Sequence, residues 1–90
     1  MSTREITVLY FAAAATATRL DYERIPIPAD GGLPLSSLSQ ILASRHPNKG
    51  LDQILATSQW SVNEEMVDDV STVVLKGGEE VAVICPVSGG

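Results

Sequence analysis

The sequence holds little of what catalysis usually draws on. Its 90 residues include one cysteine, one histidine, one tryptophan and one phenylalanine. A single cysteine excludes an intramolecular disulfide, a cysteine-based zinc cluster and a Cys-x-x-Cys redox pair, and it suits a reducing compartment. Cys85 and His46 fall in different predicted elements, so no cysteine–histidine dyad is indicated. Basic residues are scarce as well. Six Lys and Arg against eleven Asp and Glu leave a net charge of −5. That balance argues against nucleic acid as a partner, because phosphate contacts need a basic face. No apolar run approaches the roughly 20 residues that cross a bilayer. Met1-Ser2-Thr3-Arg4-Glu5 leads straight into a strand-like segment, without the charged-then-apolar pattern of a secretory signal. These absences point to a cytoplasmic chain with neither a membrane nor a nucleic-acid partner.

Motifs for metals and nucleotides are missing too. The acidic pairs Glu64-Glu65, Asp68-Asp69 and Glu79-Glu80 lack the calcium-loop spacing, and Gly31-Gly32 and Gly77-Gly78 lack a phosphate-loop context. They read as solvated turns, and no metal site or permanently bound cofactor is expected. A chain of this length buries roughly 60–65% of its unfolded surface, enough for one domain over residues 1–90 but little for a deep cleft.

Charge is unevenly placed. Residues 1–50 carry five basic and four acidic side chains, whereas residues 51–90 carry Lys76 alone against seven acids. Such asymmetry fits either a charged docking face or a set of solubilising turns.

Hydrophobic patterning supplies the elements. Residues 4–11 are rich in β-branched and aromatic types and predict a strand, apolar on both faces and so covered on both sides. Residues 12–17 predict a short helix or turn. Residues 21–28 predict a second strand, which Pro26 and Pro28 confine to a sheet edge. Leu35, Leu38, Ile41 and Leu42 form one stripe of a main helix that starts at Pro34 and is stopped by Pro47. Leu51, Ile54 and Leu55 repeat that spacing in a shorter helix over about 50–57. Strand-like segments follow at 59–63, 66–67 and 73–75, and a glycine turn leads into Glu80–Cys85, a run that suits a strand buried on both faces. The class is α+β, a mixed sheet packed on one main helix. His46, at the end of that helix, is expected to meet the terminal carbonyls, and Cys85 to act as a small buried hydrophobe.

The end of the chain carries the strongest chemical signal. Pro86-Val87-Ser88-Gly89-Gly90 reads as a flexible projecting tail. Without Cβ atoms, two glycines can thread a narrow channel, and Pro86 stiffens the base. The reactive group would be the Gly90 carboxylate, which is ionised at neutral pH and a poor electrophile until another enzyme activates it, for example as an acyl-adenylate. The domain would then be a cosubstrate rather than a catalyst.

These residues resemble a known family. The strand–strand–helix–strand order ending in Gly-Gly is similar to the ubiquitin-like β-grasp. Val8-Leu9-Tyr10-Phe11-Ala12, Val62-Asn63 and the run from Gly78 to Gly90 resemble the small, sulfur-carrying subunits of molybdopterin synthase, and Arg45-His46-Pro47 resembles their eukaryotic members. The resemblance implies that an E1-like adenylyltransferase and sulfurtransferase uses ATP to adenylate Gly90 and converts it to a thiocarboxylate. The tail of Pro86, Val87, Ser88, Gly89 and Gly90 would enter the large catalytic subunit and donate sulfur to cyclic pyranopterin monophosphate, in a complex of two small and two large subunits. Phe11, Met66 and Ile84 match the family's apolar partner-facing positions, though core packing would also account for each. Two departures stand out: Cys85 lies where family tails commonly have proline, and Ala12–Thr18 is alanine-rich where many relatives are charged. A sulfur carrier for thiazole synthesis or tRNA thiolation, a ubiquitin-like protein modifier, and an interaction module with an incidental Gly-Gly are the alternatives.

Overall fold

A computed structural model describes residues 4–28 and 30–85. The expected tail of residues 86–90, including Gly90, lies outside the described residues. The elements run β1 (Arg4–Tyr10), α1 (Ala12–Thr18), β2 (Tyr22–Ile27), β3 (Leu33–Pro34), α2 (Leu35–Arg45), α3 (Leu51–Thr57), β4 (Gln59–Val62), β5 (Glu65–Val67), a 3₁₀ turn (Val70–Thr72), β6 (Val74–Leu75) and β7 (Glu80–Ile84). Five strands form one mixed sheet in the order β2-β1-β7-β4-β5, and β3 pairs with β6 in a small second ribbon. The two long apolar strands at opposite ends of the sequence, β1 and β7, lie side by side and parallel. All other pairings in both sheets are antiparallel.

Alternation along each strand decides which face is buried. Ile6, Val8 and Tyr10 of β1, Ile25 and Ile27 of β2, Trp60 of β4 and Val81 and Val83 of β7 all point into one core. Leu35, Leu38 and Leu42 of α2 and Leu51 and Leu55 of α3 cover them, and α1 adds Ala14. The helical stripe read from the sequence is therefore the core-facing stripe, with Ile41 only partly buried at its edge.

Three expectations change. The first strand is buried on one side only, since Thr7 and Leu9 are half-buried and no helix covers their face. The expectation for β7 holds over its middle, where Val81, Ala82 and Val83 are buried on both faces, and fails at Ile84, which is half-buried. The hairpin turn is Asn63-Glu64 rather than Glu64-Glu65: both central residues have positive φ, 52° and 72°, as a two-residue turn between twisted strands requires. The β3–β6 ribbon, of which the sequence signalled only the 73–75 side, does local work, since the Val73 carbonyl accepts the Leu35 N–H at 2.9 Å. This satisfies a first-turn donor of α2, whose N-cap Pro34 makes no side-chain cap.

The glycine turn before β7 also differs from a plain solvated loop. Glu79 folds its carboxylate back onto the N–H groups of Lys76 (2.9 Å) and Gly77 (2.7 Å). Burial raises its pKa, but those backbone hydrogen bonds outweigh it and hold the carboxyl below its usual value. Asn63 pins the start of β7 from the other side: its N–H donates to the Glu80 carbonyl at 2.8 Å and its side chain accepts the Glu80 N–H at 3.0 Å. The Gly78-Glu79-Glu80 and Val62-Asn63 segments thus meet in space and fix the strand that leads to the tail.

Candidate functional site

The uncovered face of the sheet carries an apolar row. Strand register sets Tyr22, Leu9, Ala82, Ser61 and Met66 side by side across all five strands. Tyr22 and Met66, at the two edges, are 54% and 52% exposed. One step along, Phe11 keeps an extended backbone at φ −132° and ψ 154°, so the alternation continues and brings it alongside Ile84, next after the Tyr10–Val83 pair. Phe11 is 50% exposed, whereas its neighbour Tyr10 is buried, as the opposite parity of the two residues requires. Phe11, Ile84 and Met66 therefore share one face, and none of them is core. Isolated exposed hydrophobes are ordinary on protein surfaces; here Phe11, Tyr22 and Met66 lie on one face around a buried Ala82–Ser61 centre. Tyr22 is a member of this face that composition does not reveal; the β1–β2 register opposite Leu9 brings it in.

A shallow groove of about 460 Å³ runs beside the edge strand β5, with Val62, Met66 and Val73 among its apolar lining and Glu65 and Asp68 on its rim. Val62, Val67 and Val73 line it from the core side of the sheet and Met66 from the open side, so it lies at the β5 edge beside the acidic residues Glu65, Asp68 and Asp69.

Behind the sheet, a polar junction ties β1 and β2 to the end of α2. Glu23 accepts the Tyr10 hydroxyl at 2.7 Å and His46 Nε2 at 2.8 Å on one oxygen, and Arg45 Nε at 2.8 Å on the other. His46 also meets the Tyr10 ring edge-on, with centroids 6.2 Å apart. Its ring thus serves Glu23 and not the helix carbonyls; only its backbone N–H closes α2, on Leu42. Burial raises the Glu23 pKa, but the hydrogen bonds from His46, Tyr10 and Arg45 together hold it below the usual carboxylate value. Burial, with the Glu23 hydrogen bond and charge added, keeps the Tyr10 phenol protonated far above its ordinary range, against the opposing charge of Arg45.

At the far end of β7, Cys85 is half-buried and not a fully buried hydrophobe. Its thiol donates to the Phe11 carbonyl at 3.4 Å. Ala12, directly after Phe11, sits at φ 52°, a left-handed corner that turns the chain off the sheet into α1. Among the described residues no three His, Cys, Asp or Glu side chains converge on a point that could hold a metal ion. No helix there is long and apolar enough to cross a membrane.

Comparison with known proteins decides the family. The model of the ThiS family matches residues 8–90. The chain belongs to the ThiS family. Among curated relatives of this ThiS-family chain, the molybdopterin synthase sulfur carrier subunit of Mycosarcoma maydis is 39% identical over 90 residues, covering 98% of this chain and 96% of that one. The human protein of the same name is 34% identical over 87 residues, covering 96% and 94%. Among solved structures, the putative molybdopterin converting factor subunit 1 of Pyrococcus furiosus superposes with a TM-score of 0.76 at 25% identity, over 94% of this chain and all of that one. Small archaeal modifier protein 1 of Haloferax volcanii has the same fold, with a TM-score of 0.74 at 18% identity over 93% and 99%. The same architecture recurs at a TM-score of 0.60 and 24% identity, over 96% and 99%, in a complex of subunits 1 and 2 of the molybdopterin-converting factor from Helicobacter pylori. The fold of this ThiS-family chain is accordingly the ubiquitin-like β-grasp, the α+β arrangement that the sequence led us to expect.

Proposed function

We propose that this chain is the sulfur carrier subunit of a molybdopterin synthase and that its chemistry resides on Gly90. The observation that carries this reading is the extent of the likeness: it runs through residue 90 and covers 98% of this chain and 96% of the Mycosarcoma relative. The match therefore includes the strand that delivers the tail and the Gly-Gly end itself.

The chemistry follows from the state of the carboxylate. At neutral pH the Gly90 carboxylate is ionised and resists attack. An E1-like adenylyltransferase joins it to AMP from ATP, with pyrophosphate leaving. Hydrosulfide released from a sulfur donor then attacks the acyl carbon and displaces AMP, leaving a C-terminal thiocarboxylate. The tail of Pro86, Val87, Ser88 and Gly89 carries that group into the large subunit, where its sulfur bonds to cyclic pyranopterin monophosphate and water cleaves the C–S bond, returning Gly90 to a carboxylate. ATP is consumed by the activating enzyme and is not a resident cofactor of this chain. The steps occur in the cytoplasm.

Phe11, Met66 and Ile84 form the contact with the large subunit in this proposal, two small subunits serving two large ones. The exposure of Phe11 and Met66, with half-buried Ile84 on the same face, supports it, and a complex of the two subunit types exists in the Helicobacter structure. The acidic rim beside Met66 favours a basic border on that partner.

Mass spectrometry tests the reading. After incubation with ATP, the cognate activating enzyme and a sulfur donor, the full chain should gain the mass of one sulfur-for-oxygen exchange at Gly90. Deleting Gly89-Gly90 should abolish the exchange and leave the melting midpoint unchanged. An unmodified wild-type chain in the presence of an activating enzyme that is competent on a control carrier would overturn the proposal. Isopeptide-linked Gly90 adducts on lysines in cell extract would replace it with a modifier role.

A further inference from the structure

We propose that the Cys85 side chain is a positioning group that orders the end of β7, the root of the reactive end; the inference rests on the sulfur-carrier reading above. The ladder stops just short of Cys85. The last pair with β1 is Tyr10–Val83, and the last with β4 is Gln59–Ile84. Cys85 shares the parity of Val81 and Val83, so its side chain turns back over the rim of the core, where it packs against the buried cluster.

Two junctions grip it there. On one side the thiol donates to the Phe11 carbonyl at 3.4 Å. That oxygen is already held by the N–H groups of Ala14 at 3.1 Å and Ala15 at 3.4 Å in the first turn of α1, so it is a fixed acceptor. On the other side lies Ser58, between α3 and β4. Its hydroxyl comes within 3.7 Å of Cys85 Sγ but donates at 2.6 Å to the Ile54 carbonyl. It has one proton to give, and the shorter bond takes it. Ser58 is thus a wall for the sulfur and Phe11 an anchor. The residue that follows is Pro86, whose ring restricts the backbone of Cys85 to extended conformations. A tethered side chain and a restricted backbone together order Cys85 relative to Phe11 of the proposed partner face.

A carrier whose tail must enter a partner gains affinity when the root is ordered in advance, because less freedom is lost on docking. Thiol donors are weak, so the effect is modest. The test uses the full-length chain bearing its thiocarboxylate, with the large subunit, and compares wild type with Cys85→Ala and Cys85→Pro. Cys85→Ala should raise KM for the carrier about threefold to fivefold with kcat unchanged. Cys85→Pro, which restores stiffness without a thiol, should bring KM back to within about twofold of wild type by the same ordering argument. Equal KM values for wild type and Cys85→Ala would overturn the proposal. So would a Cys85→Ala defect that tracks a lowered melting midpoint and is not relieved by proline, since that marks a packing role alone. Failure of wild type itself to acquire the thiocarboxylate would instead refute the underlying sulfur-carrier reading.

Discussion

Replacing Glu23 with alanine removes the acceptor shared by Tyr10, His46 and Arg45. The Tyr10 side chain cannot turn to water, because the residue is 2% exposed. A stranded buried hydroxyl costs about 1–3 kcal/mol. The Arg45 pair adds little, since that side chain is 43% exposed and surface pairs are worth about 0–1 kcal/mol. The expected loss is about 2–3 kcal/mol, which for a domain of this size lowers the melting midpoint by on the order of 10–20 °C. Thermal unfolding followed by circular dichroism measures it. Adding Tyr10→Phe to Glu23→Ala should recover about 1 kcal/mol, because the stranded group is then gone. A midpoint within about 2 °C of wild type for Glu23→Ala, or no recovery in the double variant, refutes this account of the junction. The same geometry sets a pH dependence. The Glu23 carboxyl is held below its ordinary value in the fold, so its contribution is complete above the unfolded pKa and is lost as pH falls through the folded one. Wild type should lose midpoint between about pH 5 and pH 3 more steeply than Glu23→Gln.

Gly32→Ala places a Cβ against the Leu75 carbonyl and Val74 at φ 76°, whereas Gly31→Ala at φ 80° meets nothing within 4 Å; urea titration should show Gly32→Ala costlier by about 1–3 kcal/mol. Ala12→Gly relieves a left-handed φ of 52°, so it should be neutral or stabilising by up to about 1 kcal/mol in the same titration, the reverse of glycine elsewhere in a helix. Glu79→Ala uncaps the turn before β7 and should cost about 1–2 kcal/mol of stability, without the partner defect expected of a docking acid. Phe11→Glu and Met66→Glu, on half-exposed positions, should weaken capture of the large subunit about tenfold or more and leave the midpoint near wild type, as measured by calorimetry.

Much of this was legible in the residues. The main helix, its Pro34 and Pro47 boundaries, the edge character of β2 and the opposite facing of Tyr10 and Phe11 follow from periodicity and proline chemistry, which act locally. What sequence could not give depends on pairing. Coverage of β1 on both faces was inferred from its apolar content, but register shows that the second apolar face is the open one, where Leu9, Tyr22 and Met66 line up. His46 was assigned to its own helix because that is the nearest acceptor; its actual partner, Glu23, lies 23 residues away. Glu79 resembled any solvated acid, since nothing in a dipeptide reveals that its carboxylate closes a turn. The two-residue strand β3 carries no periodic signal, so its pairing with the strand-like segment at 73–75 was not evident.

The parallel pairing of β1 with β7 has a consequence for synthesis. Thr7 lies opposite Glu80, so the middle of the sheet joins segments separated by nearly the whole described chain. Contacts of such long sequence separation slow folding, because the loop must close before they form. A growing chain still short of Glu80 has β1 and β4 with an empty lane between them, and cannot complete the sheet while its last strand is inside the ribosome. Any premature stop before β7 therefore yields a chain without the centre of its sheet.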